Sequence, residues 1–224
     1  NINADFERLN DIIFTSSLVI NSIGYQIQGV LSQNVLNIYG DYGLAISALY
    51  EKGEGLKGTI TTDEMPLPFL PFFLTLDSEF QYRNRTDWLY TIETGYVSYA
   101  TPASLGRTTV GLDFHGKADP SGLFLPEVKF GDVETLTGML TITAPTTDNN
   151  GKTDYSVEMK LVSPDNTEQL DLAAAFNFFD QGIYADGSLK LDNISLSRFL
   201  YTQGKTHRVS SDAAFSVSPD SFSF

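Results

Sequence analysis

Leu170-Asp-Leu-Ala-Ala-Ala-Phe-Asn-Phe178 is the stretch of the sequence that decides the fold. Apolar residues occupy every second position from Leu170 to Phe178, and the polar residues Asp171 and Asn177 lie between them. Successive side chains of a β-strand point to opposite faces, so a period of two produces one apolar and one polar face. The stretch therefore predicts a long amphipathic strand.

The same alternation returns along most of the chain. It is present in residues 25–27, 44–48, 74–82, 88–92, 110–114, 138–142, 155–161 and 209–217. Turn signals such as Asn150-Gly151 separate the segments, and intervals of about 8 to 12 residues between turns are typical of an antiparallel meander. Helical spacing is scarce, and the places where a short helix fits are Pro68 to Phe73 and Leu196 to Leu200.

A five-residue pattern occurs twice, and its positions are offset by 129 residues (187 − 58 and 192 − 63). The first copy is Gly58, Ile60, Asp63, Met65 and Leu67, and the second copy is Gly187, Leu189, Asp192, Ile194 and Leu196. Recurrence of a supersecondary unit indicates stacked units that bury one continuous face. We therefore predict a single β-groove segment over residues 1–224, with repeat-like units near 44–82 and 170–217.

The composition disfavours several classes of function. The 224 residues carry 14 Lys and Arg against 28 Asp and Glu, and this net charge of −14 disfavours binding to nucleic acid or to an anionic membrane surface. The absence of cysteine removes thiolate catalysis, zinc-thiolate sites and disulfides. No apolar run approaches the roughly 20 residues of a membrane-spanning helix, and residues 1–5 do not resemble a signal peptide, so any signal or anchor is expected upstream.

Candidate catalytic and metal-binding residues are few. His115 and His207 are the two histidines, and neither has a partner at a spacing typical of a catalytic triad or a metal site. Residues 148–154 cluster oxygen ligands around Gly151 but lack the spacing and the terminal Glu of a calcium loop, so we interpret them as a hairpin tip. The dispersed acidic residues single out no carboxylate pair for glycoside chemistry. We therefore expect no enzyme, no cofactor and no metal.

The apolar stripes are the feature that bears on function. They are interpreted either as the closed core of a β-sandwich or as the lining of an open trough, in which a curled sheet holds acyl chains. Periodicity leaves both alternatives open, and alternation along each strand selects the side chains that would line the trough. The predicted lining residues are Ile60, Leu140, Val157, Met159, Leu161, Leu172, Ala174, Phe176, Leu189 and Leu191.

Two stretches, Gly58 to Leu70 and Gly187 to Leu200, resemble the repeated G-x-L-x-L-x-(D/N)-(I/M/L)-x-L units of the TamB/AsmA-like family. In this family name, TamB stands for the translocation and assembly module TamB. Asp113 to Asp119, followed by Leu125 to Gly138, is similar to that family's glycine-punctuated rhythm of strand, turn and strand. The resemblance covers roughly residues 44 to 200.

The resemblance implies a long antiparallel meander curled into an open, taco-like groove with an apolar interior. It implies a periplasmic protein, attached to the inner membrane through a region outside this segment. The function that follows is binding or conduction of phospholipid, through its acyl chains, between the inner and outer membranes. Support of outer-membrane protein assembly through a barrel partner is also implied, and the family offers no catalytic residues.

Two other interpretations stay open. The first is a closed β-sandwich that acts as a binding or adhesin-like module, with its function in exposed loops such as Thr146 to Thr153. The second is part of an outer-membrane β-barrel, which the 11 tyrosines and 16 phenylalanines favour because they could supply aromatic girdles. Acidic residues beside the apolar positions, such as Asp77 and Glu79, count against the barrel.

Overall fold

The fold is described from a computed structural model of the chain. It describes residues 2–8, 11–20, 22–67, 72–100, 109–131, 135–147, 153–179, 182–196, 207–218 and 221–223. The chain divides into two compact units, Asn1–Ala100 and Thr101–Phe224. Each unit is built from β-strands, and the described residues form no regular helix.

The first unit contains eight strands. They are β1 (Ile2–Arg8), β2 (Asp11–Ile20), β3 (Ile23–Ser32), β4 (Val35–Gly40), β5 (Ala45–Glu51), β6 (Gly55–Pro66), β7 (Phe73–Asn84) and β8 (Asp87–Ala100). The second unit contains eight more. They are β9 (Thr109–Asp119), β10 (Gly122–Phe130), β11 (Leu136–Thr147), β12 (Thr153–Val162), β13 (Gln169–Phe179), β14 (Gly182–Ser195), β15 (Arg208–Ser218) and β16 (Ser221–Ser223).

Within each unit, every strand pairs antiparallel with its neighbours in the sequence. The predicted fold class, an all-β antiparallel meander, is confirmed. Neither unit pairs its first strand with its last among the described residues, so each sheet is open, as a groove requires. The prediction that residues 1–224 form one groove segment stays a prediction.

Of the two places proposed for a short helix, Leu196 to Leu200 begins with a residue in 3₁₀-helical conformation, and Pro68 to Phe73 shows no helix at its described residues, 72 and 73. Phe73 is the first residue of β7, and Leu196 directly follows β14. The rest of both proposed helices, residues 68–71 and 197–200, lies outside the described residues. Of the hairpin tip predicted at residues 148–154, residues 148–152 also lie outside them, and residues 153 and 154 belong to β12.

The two copies of the sequence pattern share a β-bulge at the same position. In β6 the register shifts between Thr62 and Met65, and in β14 it shifts between Leu191 and Ile194. Glu64 and Asn193 occupy the two bulges, with φ of 45° and 55°, which lies in the left-handed region. The repeat is therefore a structural unit centred on a bulge.

Hydrogen bonds around the two bulges correspond as well. The backbone N–H of Glu64 donates to Thr75 Oγ1 at 3.0 Å, and the N–H of Asn193 donates to Ser210 Oγ at 2.9 Å. A hydroxyl on the following strand thus accepts from a backbone donor that the bulge removes from the ladder. Three residues later in each copy, the N–H of Leu67 or Leu196 donates to the carbonyl oxygen of the residue just before the next strand, Phe72 or His207.

Glycine allows the sheet of the second unit to bend at β11. A Cβ atom on Gly138 would overlap the carbonyl oxygen of Lys160 and lie 3.0 Å from the Cα of Leu161 on the neighbouring strand. Cα atoms of β10 and β12 approach within 8 Å of each other across β11, whereas strands two apart in a flat sheet are about 9.5 Å apart. The sheet is therefore curled across β11, and at Gly138 of that strand no side chain keeps the backbone of β12 away.

We predict that Gly138→Ala lowers the free energy of unfolding by about 1–3 kcal/mol, because the added methyl group must displace backbone rather than a flexible side chain. The matched control is Gly24→Ala in β3, where a Cβ atom meets nothing within 4 Å. That variant should change stability by less than about 1 kcal/mol. Urea unfolding followed by circular dichroism measures both, and equal effects would contradict the role assigned to Gly138.

Candidate functional site

The register of the second unit collects apolar side chains from several strands on one face of the sheet. Residues that pair across an antiparallel ladder share a face, so each chain of pairings defines a row of side chains. One row is Leu125–Leu140–Met159–Leu172–Leu189–Ala213. The adjacent rows are Leu123–Ile142–Val157–Ala174–Gly187–Phe215 and Val128–Gly138–Leu161–Leu170–Leu191–Ser211. None of these positions is charged.

Nine of the ten predicted lining residues lie on this face. Eight of them belong to the three rows, and Phe176 stands one row further along, stacked on Tyr155 with ring centroids 5.1 Å apart. Ile60 lies in the first unit, in the row Ile38–Ile46–Ile60–Ser78–Ile92. The nine residues of the second unit therefore share one face, and on none of their strands is the alternation offset by one residue.

The burial of this face changes from one end to the other. Five buried side chains, none more than 8% exposed, form what we call the closed end: Val128, Leu136, Leu161, Leu170 and Ile194. Leu125, at the β10 end of the first row, is buried as well. The remaining predicted lining residues of the second unit are half-buried, and we call them the apolar trough: Leu140, Val157, Met159, Leu172, Ala174, Phe176, Leu189 and Leu191. Of the ten predicted lining residues, only Leu161 is fully buried.

A buried carboxylate holds the chain at the closed end. Glu168 is 3% exposed and lies just before β13. Its Oε1 accepts from Arg208 Nη1 and its Oε2 accepts from the backbone N–H of Ser195, both at 3.3 Å. Arg208 also donates to the carbonyl oxygen of Asn193 at 3.0 Å. The carboxylate therefore ties the turn between β12 and β13 to the ends of β14 and β15.

The opposite face of the second unit is polar. Its central row runs Lys160–Asp171–Lys190–Asp212, so that positive and negative side chains alternate from strand to strand. Opposite charges on paired positions stabilise a sheet modestly, by roughly 0.2–1 kcal/mol each. Asp171 Oδ2 accepts from the side-chain amide of Gln169, and Asp171 Oδ1 is buried without a hydrogen-bond partner. This row of alternating charges gives the sheet a polar face on the side opposite the apolar face.

Several residues of the apolar face were not among the predicted lining residues. They include Leu123, Leu125, Val128, Ile142, Leu170 and Phe215. The bulge in β10, between Leu125 and Val128, inverts the alternation along that strand, so period-two counting fails there. Ile142 and Phe215 lie in segments that were recognised as alternating, and only the pairing register aligns them with Val157 and Gly187.

The described residues do not bring candidate metal ligands together. They contain no group of three or more His, Asp or Glu side chains that could hold a metal ion. His115 and His207 are both exposed. The described part of the chain also contains no helix with the length and apolarity that a membrane span requires.

Comparison of the chain with protein-family models, curated proteins and solved structures finds no match. The resemblance to the TamB/AsmA-like family therefore stays an expectation drawn from the sequence. The geometry of the apolar face is what carries the functional proposal.

We predict that Glu168→Ala lowers the free energy of unfolding by about 2 kcal/mol, because the Ser195 N–H loses a charged acceptor inside the closed end. The matched control is Glu158→Ala, which removes an exposed carboxylate from the polar face of β12. That change should stay within about 0.5 kcal/mol. Urea unfolding of both variants measures the difference, and equal losses would contradict a specific role for Glu168.

Stability at acidic pH should depend on Asp165. Hydrogen bonds from Ser163 and Thr167 lower the pKa of the Asp165 carboxyl from 3.8 to about 2. A carboxyl with a lowered pKa in the folded state stabilises the protein above its unfolded pKa, and this stabilisation disappears as the pH falls through the folded pKa.

We therefore predict that Asp165→Asn flattens the loss of stability between about pH 4 and pH 2. Urea midpoints measured across that window test it, with Asp186→Asn on the polar face of β14 as the control. An unchanged pH dependence in Asp165→Asn would contradict the prediction.

Proposed function

We propose that the apolar trough binds the acyl chains of lipids, and that this chain is a hydrophobic-groove segment of a lipid-handling protein. The observation that carries the proposal is the uncharged row Leu140–Met159–Leu172–Leu189, whose four side chains remain half-buried. Side chains in the closed core of a sandwich would be covered by a second layer. All the described strands of the second unit belong to one hydrogen-bonded meander, without a separate second sheet.

The chemistry of the trough suits a long, flexible and apolar ligand. Burial of apolar surface contributes about 25 cal/mol per Å², or about 0.8 kcal/mol for each methylene group. A row of Leu and Met side chains offers many equivalent contacts, and the flexible thioether of Met159 adapts to ligands of different shape. Such a ligand gains affinity from its whole length, while no single position holds it tightly, so it can slide.

The closed end supports this function by stabilising the fold. A sheet whose whole apolar face remained half-exposed would bury too little surface to offset the conformational entropy of folding. Val128, Leu161 and Ile194 are fully buried and supply a compact core at one end of the face. The trough can therefore stay partly open without the loss of the fold.

The wider biological role is proposed from the resemblance to the TamB/AsmA-like family. In that role the segment lies in the periplasm and belongs to a protein anchored in the inner membrane. It conducts phospholipid towards the outer membrane and supports outer-membrane protein assembly with a barrel partner. Passive conduction needs no catalytic residue and no cofactor, because a concentration difference between the membranes drives the movement.

The test replaces one side chain of the trough with a carboxylate. We expect Leu189→Glu to weaken binding of a phosphatidylethanolamine that carries a fluorescent acyl chain by at least roughly tenfold, or 1.4 kcal/mol. A charge in the trough must lose its water when the acyl chain binds. The matched control is Ser188→Glu, the next residue of β14, which is exposed on the opposite face and should bind like the unaltered protein.

Thermal melting of each variant accompanies the binding measurement. If Leu189→Glu does not fold, Leu189→Asn replaces it, because a neutral polar side chain disturbs the sheet less. An unaltered protein that melts cooperatively and does not bind the fluorescent lipid would contradict the proposal and favour a closed core. Equal binding by Leu189→Glu and Ser188→Glu would contradict it as well.

A further inference from the structure

A second candidate site lies in the first unit, on the polar face of β2, β3 and β4. A cavity of about 650 Å³ runs across these strands. The paired row Thr15–Gln28–Tyr39 forms one wall, and Ser17, Gln26 and Asp41 form the other. Between the walls lies the row Ser16–Ile27–Gly40, whose side chains belong to the other face of the sheet. We call this cavity the polar trough.

The walls of the polar trough offer neutral hydrogen-bonding groups. Gln26 and Gln28 contribute two side-chain amides, each with donors and an acceptor, and Thr15 and Ser17 contribute hydroxyls. No Lys or Arg lines the trough, and the carboxylate of Asp41 would repel an anion. Hydrophobic ligands would leave these groups unpaired, which is costly. The lining therefore matches an uncharged ligand that is rich in hydroxyl groups.

Tyr39 adds an aromatic surface to the same wall. It is 58% exposed, although it belongs to the paired strand β4 rather than to a turn. An aromatic ring beside amides and hydroxyls can pack against the apolar C–H face of a sugar ring while the sugar hydroxyls bond to the neighbouring polar groups. The ring and the amide of Gln28 are adjacent across the ladder, so a single sugar ring can contact both.

One rim of the polar trough is held in place before any ligand binds. The backbone N–H of Gln26 donates to Asp41 Oδ2 at 2.8 Å, and the N–H of Asp41 donates to the carbonyl oxygen of Gln26 at 3.0 Å. The two bonds fix the turn after β4 against β3. A wall that is ordered in advance lowers the entropic cost of binding.

We propose that the polar trough binds a neutral oligosaccharide across β2, β3 and β4. The ligand lies over the Ser16–Ile27–Gly40 row, with one sugar ring against Tyr39 and its hydroxyls on the amides of Gln26 and Gln28. The trough extends over two strand spacings, roughly 10 Å, which accommodates more than one sugar ring. This site does not rest on the proposed lipid function, because it belongs to a different unit and to a polar face.

A smaller cavity on the same face supplies a control. It measures about 210 Å³ and lies between the rows Lys57–Gln81–Leu89 and Thr59–Glu79–Thr91. Its walls carry an amide, Gln81, but also charged side chains and no exposed tyrosine. Gln81→Ala therefore matches Gln28→Ala in chemistry and in face, without touching the polar trough. Tyr50→Ala matches Tyr39→Ala, because Tyr50 is 52% exposed on the other face of the sheet.

The experiment is titration of the full ¹⁵N-labelled chain with cellohexaose, maltohexaose and chitohexaose, followed by amide chemical shifts. We expect at least one of these neutral sugars to shift the amides of residues 15–17, 26–28 and 39–41. Tyr39→Ala and Gln28→Ala should each weaken that binding by roughly tenfold or more. Tyr50→Ala and Gln81→Ala should bind like the unaltered protein, and Leu189→Glu should retain sugar binding even where lipid binding is lost.

Three results would overturn the proposal. The first is the absence of saturable shifts with all three sugars. The second is shifts that map to the smaller cavity or to the apolar face instead. The third is tighter binding of a sulfated heparin oligosaccharide, which would mean that the ligand is an anion. If Tyr39→Ala does not fold, Tyr39→Leu tests the same contact, because it keeps the bulk and removes the aromatic ring.

Discussion

The register of the antiparallel ladder is the constraint on which the rest of this structure depends. A slip of one residue between two strands would move every side chain of one strand to the opposite face. In the second unit, the pairings keep Leu140, Met159, Leu172 and Leu189 in one row and Lys160, Asp171 and Lys190 in the row behind it. Both faces specify the same register, because a slip would bring charges into the apolar face and expose the leucines.

Bulges and glycines adapt this flat pattern to a curled sheet. The repeated bulges in β6 and β14 restore the apolar face after an extra residue, and a hydroxyl on the next strand accepts from the displaced backbone N–H. Gly138 allows the backbone of β12 to approach β11 more closely than a side chain would permit. Bulges and glycine kinks are the usual means by which a sheet acquires curvature without losing its hydrogen bonds.

The apolar face combines a stable part and an open part. Fully buried side chains collect at the end that Glu168 and Arg208 seal, and side chains further along the same strands remain half-buried. Fully buried and half-buried side chains, which periodicity alone does not distinguish, here lie mostly at different ends of one face. Leu161 and Val157 lie four residues apart on β12 and belong to the two different ends. The proposed lipid function therefore rests on a part of the sheet that the fold does not need for its compact core.

Sequence by itself determined the all-β meander, the faces of β12, β13 and β14, and the repeated pattern, because side-chain alternation is a local property of a strand. The sequence also indicates the two bulges. Apolar residues move from even to odd positions between Ile60 and Met65, and from odd to even positions between Leu189 and Ile194. Only the tertiary structure decided where the apolar face is closed, why Leu125 belongs to it, and that Gln28 and Tyr39 share one wall of a cavity. Those outcomes depend on pairing between strands and on curvature, which bring together residues that no local spacing relates.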